Sequence, residues 1–213
     1  MLRNLVPKYA YIPLLSVLFV NMLVYYLPKP FVSAESAIDL GIGIDGALPF
    51  LSFFVVFYIL AFAQWPIGHI IIARESREYC YRVAMADIIA KLICVVFFIA
   101  MPVSIVRPEI EGGGVFNGLA RLLYFVDEPT NLFPSIHCLE SYAVARCALP
   151  LKKVPIAYKV GMAALSLLVF ASVVFVKQHF FLDIVAGILV FEIGLLITRL
   201  TKLDMLVFGR IKD

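Results

Sequence analysis

The chain has 213 residues, 63% hydrophobic and 15% charged, against roughly 45–50% apolar and about 25% charged in soluble domains. That composition excludes an ordinary soluble fold, and a net charge of only +3 gives no footing for nucleic acid. What remains is a polytopic membrane protein, read as one all-α catalytic domain over residues 1–213 with six helices crossing the bilayer.

A helix needs ~20 apolar residues to cross a bilayer, and the runs are taken in chain order. A basic start (Arg3, Lys8) leads into the first, at about 11–27. The bulky YYLPKP that follows has no small-residue cleavage site, so this span is retained. A mixed loop with Glu35, Asp39 and Asp45 comes next. Asp45 suits either a helix cap or the mouth of a site. The second span is placed at about 49–73, with Gln64 and Trp65 as packing or interfacial residues and His69 near its cytoplasmic end, without a catalytic role. The basic loop RESREYCYR precedes a third span at about 83–106. In it, Asp87 and Lys91 stand one turn apart, as a snorkelling ion pair would.

The stretch from Arg107 to Phe133 is the longest without a span. Within it Phe116, Leu119, Leu123 and Val126 recur at helical spacing, which predicts an interfacial helix. A fourth span at about 134–149 is interrupted by Glu140, expected to pair across helices, and Arg146. The fifth and sixth lie at about 156–176 and 180–200. Four cysteines (Cys80, Cys94, Cys138, Cys147) form no CxxC pair and read as small buried hydrophobes. Lysine and arginine concentrate in the N-terminal segment, in alternate loops and in the tail (Lys202, Arg210, Lys212). The positive-inside rule then puts both termini in the cytoplasm and the remaining loops outside.

Those outer loops carry the chemistry. His179 and Asp183 are four residues apart, one turn on a helix, so the carboxylate can hold one ring nitrogen and free the other. His137 follows Pro134 and Ser135 at an expected helix start, where unpaired N–H groups attract anions. Arg107 and Lys177 add positive charge. Two imidazoles, a carboxylate and fixed cations suit phosphoryl transfer without metal or other cofactor. A metal held by the same His, His and Asp is the alternative, disfavoured by the cations beside it. Ionisable clusters also serve non-enzymatic transport or lipid-binding bundles.

Pro134-Ser135-Ile136-His137 resembles the P-S-x-H motif of the type 2 phosphatidic acid phosphatase superfamily. Ser172 to Asp183 is similar to its S-R-x5-H-x3-D motif, and Arg107-Pro108 to the end of its K-x6-R-P motif. The resemblance implies His179 as nucleophile, Asp183 orienting it, His137 as general acid, and Arg107, Ser135 and Ser172 toward phosphate. It implies a lipid phosphate or pyrophosphate as substrate, in an integral membrane protein whose site faces away from the cytoplasm. Two family cations are replaced, by Ala100 and Val173, and Lys91 is too far along its helix to substitute. Lys177 is expected to supply part of the missing charge. FPSIH and HFFLDIVAG look closest to the inositol phosphorylceramide synthase subgroup, which implies a lipid or polyol hydroxyl as the alternative phosphate acceptor.

Overall fold

The computed structural model describes residues 5–32 and 37–210, so Arg3, Glu35 and Lys212 lie outside the described residues. Among the described residues the chain is helical and has no strand, only one isolated bridge between Ile38 and Val103. The long helices are α1 (Tyr11–Tyr26), α3 (Val55–Ala73), α4 (Arg77–Ala100), α7 (Ile156–Phe175) and α8 (Phe181–Thr201). Five helical segments built on these are long and apolar enough to cross a membrane. Their outer faces carry exposed large hydrophobics such as Phe19, Val96 and Leu167. Water would penalise such a surface and a bilayer would cover it. The shorter helices are α2 (Gly43–Ala47), α5 (Val115–Val126), α6 (Ile136–Ala148) and α9 (Leu203–Phe208).

Several boundaries differ from expectation. Helix α4 begins at Arg77 because Ser76 caps it, its hydroxyl accepting from the Tyr79 N–H at 3.1 Å. Most of the expected basic loop is therefore helix. It ends at Ala100, before Pro102, which has no N–H to continue the ladder. Helix α5 is amphipathic as expected, but its inward stripe is Leu119, Ala120 and Leu123, while Phe116 and Val126 are exposed.

Helix α6 departs most. Its 13 residues reach only ~20 Å at 1.5 Å each, short of a ~30 Å hydrocarbon core. It is instead the enclosed centre of the bundle, touched by α3, α4, α7 and α8. Small residues allow the close approach. A Cβ on Gly187 of α8 would sit 2.7 Å from the Ser135 carbonyl oxygen, and one on Gly68 of α3 would sit 2.6 Å from Val144. Gly194 of α8 lies as tightly on Ala86 of α4.

Four charged or polar side chains meet in the buried interior. Lys91 bridges Asp87, at 2.8 Å, and Glu140, whose other oxygen meets His69 Nε2 at 3.0 Å. Glu140 thus pairs across helices as expected. The expected snorkelling of Asp87 and Lys91 does not occur: both are fully buried, because Glu140 offers the ammonium a partner inside the bundle. His69, Asp87 and Glu140 could place ligand atoms around a metal ion, but the Lys91 ammonium already provides the positive charge between the carboxylates.

Candidate active site at one end of the bundle

Helices α6 and α8 start at the same end. The Ser135 N–H donates to the Asp183 carbonyl at 3.1 Å, and Gly187 lets the two starts close together. The end of α7 reaches the same level, where Leu51 N–H, ahead of α3, bonds the Phe175 carbonyl at 3.0 Å. Asn131 ties in the end of α1 through the Tyr25 carbonyl. The bridge of Ile38 to the segment after α4 leads the chain to Arg107.

Between α7 and α8 the backbone reverses with Lys177 in the left-handed region (φ 53°). The N–H groups of Gln178 and His179 both return to the Val173 carbonyl. His179 therefore precedes α8 and does not lie on it. It meets Asp183 because an aspartate at the third helical position folds back over the helix start. The same Asp183 Oδ2 accepts from the Phe180 N–H and lies 3.1 Å from His179 Nδ1. That bond places the ring proton on Nδ1 and leaves Nε2 as the lone-pair nitrogen, with no hydrogen bond among the described residues.

His137 lies one residue into α6, with its ring centroid 6.0 Å from that of His179. Its ring packs against Tyr58, Phe62 and Trp65. Tyr58 is fully buried; its hydroxyl donates to Asp127 Oδ2 at 2.6 Å and lies 3.3 Å from His137 Nδ1. Because the phenol proton goes to the carboxylate, Nδ1–H is the donor to Tyr58. His137 Nε2 is then left buried without a partner. A carboxylate–phenol–imidazole chain thus holds the second histidine, as the Asp183 carboxylate holds the first.

The expected phosphate ligands divide. Arg107 donates to the Tyr124 carbonyl at 3.1 Å, to the Asp127 carbonyl at 2.6 Å and to Gln178 Oε1, and it stacks on the Tyr124 ring. Only its Nε is unpartnered. Burial pulls its guanidinium below the usual value, with the Asp127 carboxylate opposing. Lys177 donates to the carbonyls of Asp45 and Leu48 at 2.8 and 2.7 Å. Both cations border the site, but mainly as ties holding its loops.

Ser135 is the cap of α6, accepting from the Cys138 N–H, and is fully buried. Pro134 therefore precedes the cap, and the Ser135 N–H is not available to an anion as expected. Ser172 is also fully buried and donates within α7 to the Val169 carbonyl. Neither serine lines either of the two cavities that meet at His179. Val173, which stands where the resembled motif has arginine, packs in the core beside Val55 and Tyr58. Asp45 fills both roles considered for it. Its Oδ1 accepts from the Phe181 N–H at the start of α8, and it lines the cavity there.

Two cavities meet at His179. One, of about 670 Å³, is bordered by Asp39, Asp45, Arg107 and Lys177. The other, of about 470 Å³, lies among the ends of α1, α4 and α5, the middle of α3 and the start of α6; His137, Trp65 and Gln178 are among its walls. Tyr58, Asp127 and Gln178 complete the site without matching any sequence motif; their type gave no signal before folding brought them to His137 and Arg107. Comparison with family models, curated proteins and solved structures finds no match to this chain.

Proposed function

We propose that the protein is an integral-membrane enzyme that removes phosphate from a lipid phosphate or pyrophosphate through a phosphohistidine, as the resemblance to type 2 phosphatidic acid phosphatases implies. The observation that carries this is the histidine pair. Two imidazoles, one from α6 and one from the turn before α8, lie with ring centroids 6.0 Å apart and line one cavity, each with one nitrogen held through a carboxylate and the other unengaged. His179 Nε2 attacks phosphorus while the bond to the lipid oxygen breaks. His137, protonated on Nε2, gives that proton to the leaving oxygen. In the second step His137 Nε2 takes a proton from water, whose oxygen attacks phosphorus and releases His179.

The proposed topology has α6 as the fourth of six crossings, enclosed in the core, both termini cytoplasmic by the positive-inside rule, and the site at the opposite face. The short α6 fits this because its starting end, not its length, sets the level of the site. The test is phosphate trapping. Brief exposure to a radiolabelled lipid phosphate, then denaturation, yields acid-labile, base-stable label in the wild type and none in His179→Gln. A wild type that never carries label while turning substrate over removes the mechanism.

A second reading is transfer of the phosphoryl-bearing headgroup to an alcohol, as in the inositol phosphorylceramide synthase subgroup. Two separate cavities sharing His179 suit two organic substrates. The side-chain donors of Arg107 are also mostly committed to protein acceptors. A site with so little free positive charge suits a singly charged diester better than a doubly charged monoester. Adding candidate alcohols to the labelled protein separates the readings: label leaves as inorganic phosphate in one and as a new lipid in the other.

A further inference from the structure

At the end of the bundle opposite the histidines, α6 stops after 13 residues while α8 runs to 21. The two start level, so about two turns of α8 stand beyond Ala148. Helices α7 and α8 each pack along α6 but hardly on one another. In the half nearer the histidines the seam between them is filled by Phe170, Val174, Ile184 and Ile188. The other half is polar. Tyr142 and Arg146, one turn apart, are the partly exposed residues of an otherwise buried stretch of α6, Cys138 to Ala148. Glu192, one turn past Ile188 on α8, accepts from both, at 2.7 Å from the Tyr142 hydroxyl and 3.0 Å from Arg146 Nε.

The charges along this lower seam do not balance. Arg146 uses only Nε; its two terminal nitrogens bond nothing among the described residues, and the side chain is 35% exposed. Arg199, two turns past Glu192 on the same stripe of α8, is exposed and has no acceptor among the described residues. The Tyr79 hydroxyl, on the Cys147 carbonyl at 2.9 Å, lies in the field of both arginines. Lys159 of α7 reaches the Leu149 carbonyl at 2.7 Å, one turn past Arg146. Three cations thus flank one carboxylate. Positive charge at a lipid-facing surface is unfavourable without a counter-charge, and at the edge of a bilayer lipid phosphates supply one. The two free nitrogens of Arg146 form a fork that fits two oxygens of one phosphate.

We infer that the lower seam between α7 and α8 binds an anionic phospholipid of the leaflet at that end, the cytoplasmic one in the proposed topology. Its phosphate lies among Arg146, Lys159 and Arg199, and its chains run along the exposed Leu167, Leu189 and Leu196. A net negative headgroup offsets the excess charge, whereas a zwitterionic one brings its own cation and does not. The site is remote from His137 and His179 and stands whether or not they transfer phosphate.

The test is lipid retention by the full-length protein. In a non-ionic detergent it is mixed with equal amounts of phosphatidylglycerol and phosphatidylcholine of matched chains, and native mass spectrometry counts the lipids kept. The wild type is expected to hold one phosphatidylglycerol with roughly tenfold preference, the effect of one charge-assisted hydrogen bond. Lys159→Gln combined with Arg199→Gln leaves the Arg146–Glu192 pair intact and is expected to lose most of that preference. Arg74→Gln combined with Lys152→Gln removes two cations from the same end outside the seam and is expected to keep it.

A wild type without the preference overturns the inference, whether or not the variants fold. So does an equal fall in both variants, which marks diffuse attraction, and so does a preference untouched by the first pair. A dimer mass that the first pair abolishes gives the seam to a second copy of the chain instead.

Discussion

Tyr58 links the buried His137 ring to a carboxylate that it does not otherwise touch. Its phenol stands between Asp127 and His137, so in the proposed reaction an imidazolium at His137 would be stabilised through one intervening hydroxyl. Tyr58→Phe removes that link and keeps the ring packing. With a lipid alkyl phosphate, whose leaving oxygen needs a proton, turnover is expected to fall on the order of 100-fold. With an aryl phosphate, which leaves without help, the loss is expected to stay within a fewfold. Steady-state kinetics on the two substrates checks this, and equal losses would show that Tyr58 only holds the fold. The histidines and Asp183 were legible from the sequence because their spacing is local or motif-like. Tyr58 and Asp127 were not, since 69 residues separate them and each is an ordinary residue until α3 and the end of α5 meet.

At the scale of elements, the junction of α6 with α8 decides whether the histidines face each other. Gly187 is its narrowest point, with backbone of the α6 start 2.7 and 3.1 Å from a built Cβ. Gly187→Ala must push the helices apart, at a cost of about 1–3 kcal/mol. Phosphohistidine yield is expected to drop at least tenfold, since misplacing reacting groups by a fraction of an ångström is enough. Gly161→Ala on α7, where a Cβ meets nothing within 4 Å, is the matched control, with activity retained and thermal stability unchanged or slightly raised. The long helices were readable from their apolar runs. Their ends were less so: the Ser76 cap moved the start of α4 into a stretch whose charges looked like a loop. The turn before α8 was hidden too, because four-residue spacing fits both a helical pair and an aspartate reaching back to a residue outside the helix.

For the whole molecule, the buried group of His69, Asp87, Lys91 and Glu140 ties α3, α4 and α6 together far from water. Lys91→Met strands two carboxylates there, and breaking a buried pair typically costs about 3–5 kcal/mol. The variant is expected to lose cooperative thermal unfolding in detergent well below the wild-type midpoint. Replacing Asp87 and Glu140 as well, by Leu and Gln, is expected to recover much of the loss, because no unpaired charge remains. Composition made the membrane class legible, whereas this three-helix tie depends on partners that only packing supplies. The tie also bears on biogenesis. Asp87 and Lys91 lie one turn apart on α4 and can enter the bilayer already neutralised. Glu140 has its cation on another helix, and α6 is too short and too polar to partition into lipid by itself. The ribosome delivers α6 before α7 and α8, so the translocation machinery must keep it in a sheltered place until the later helices close around it.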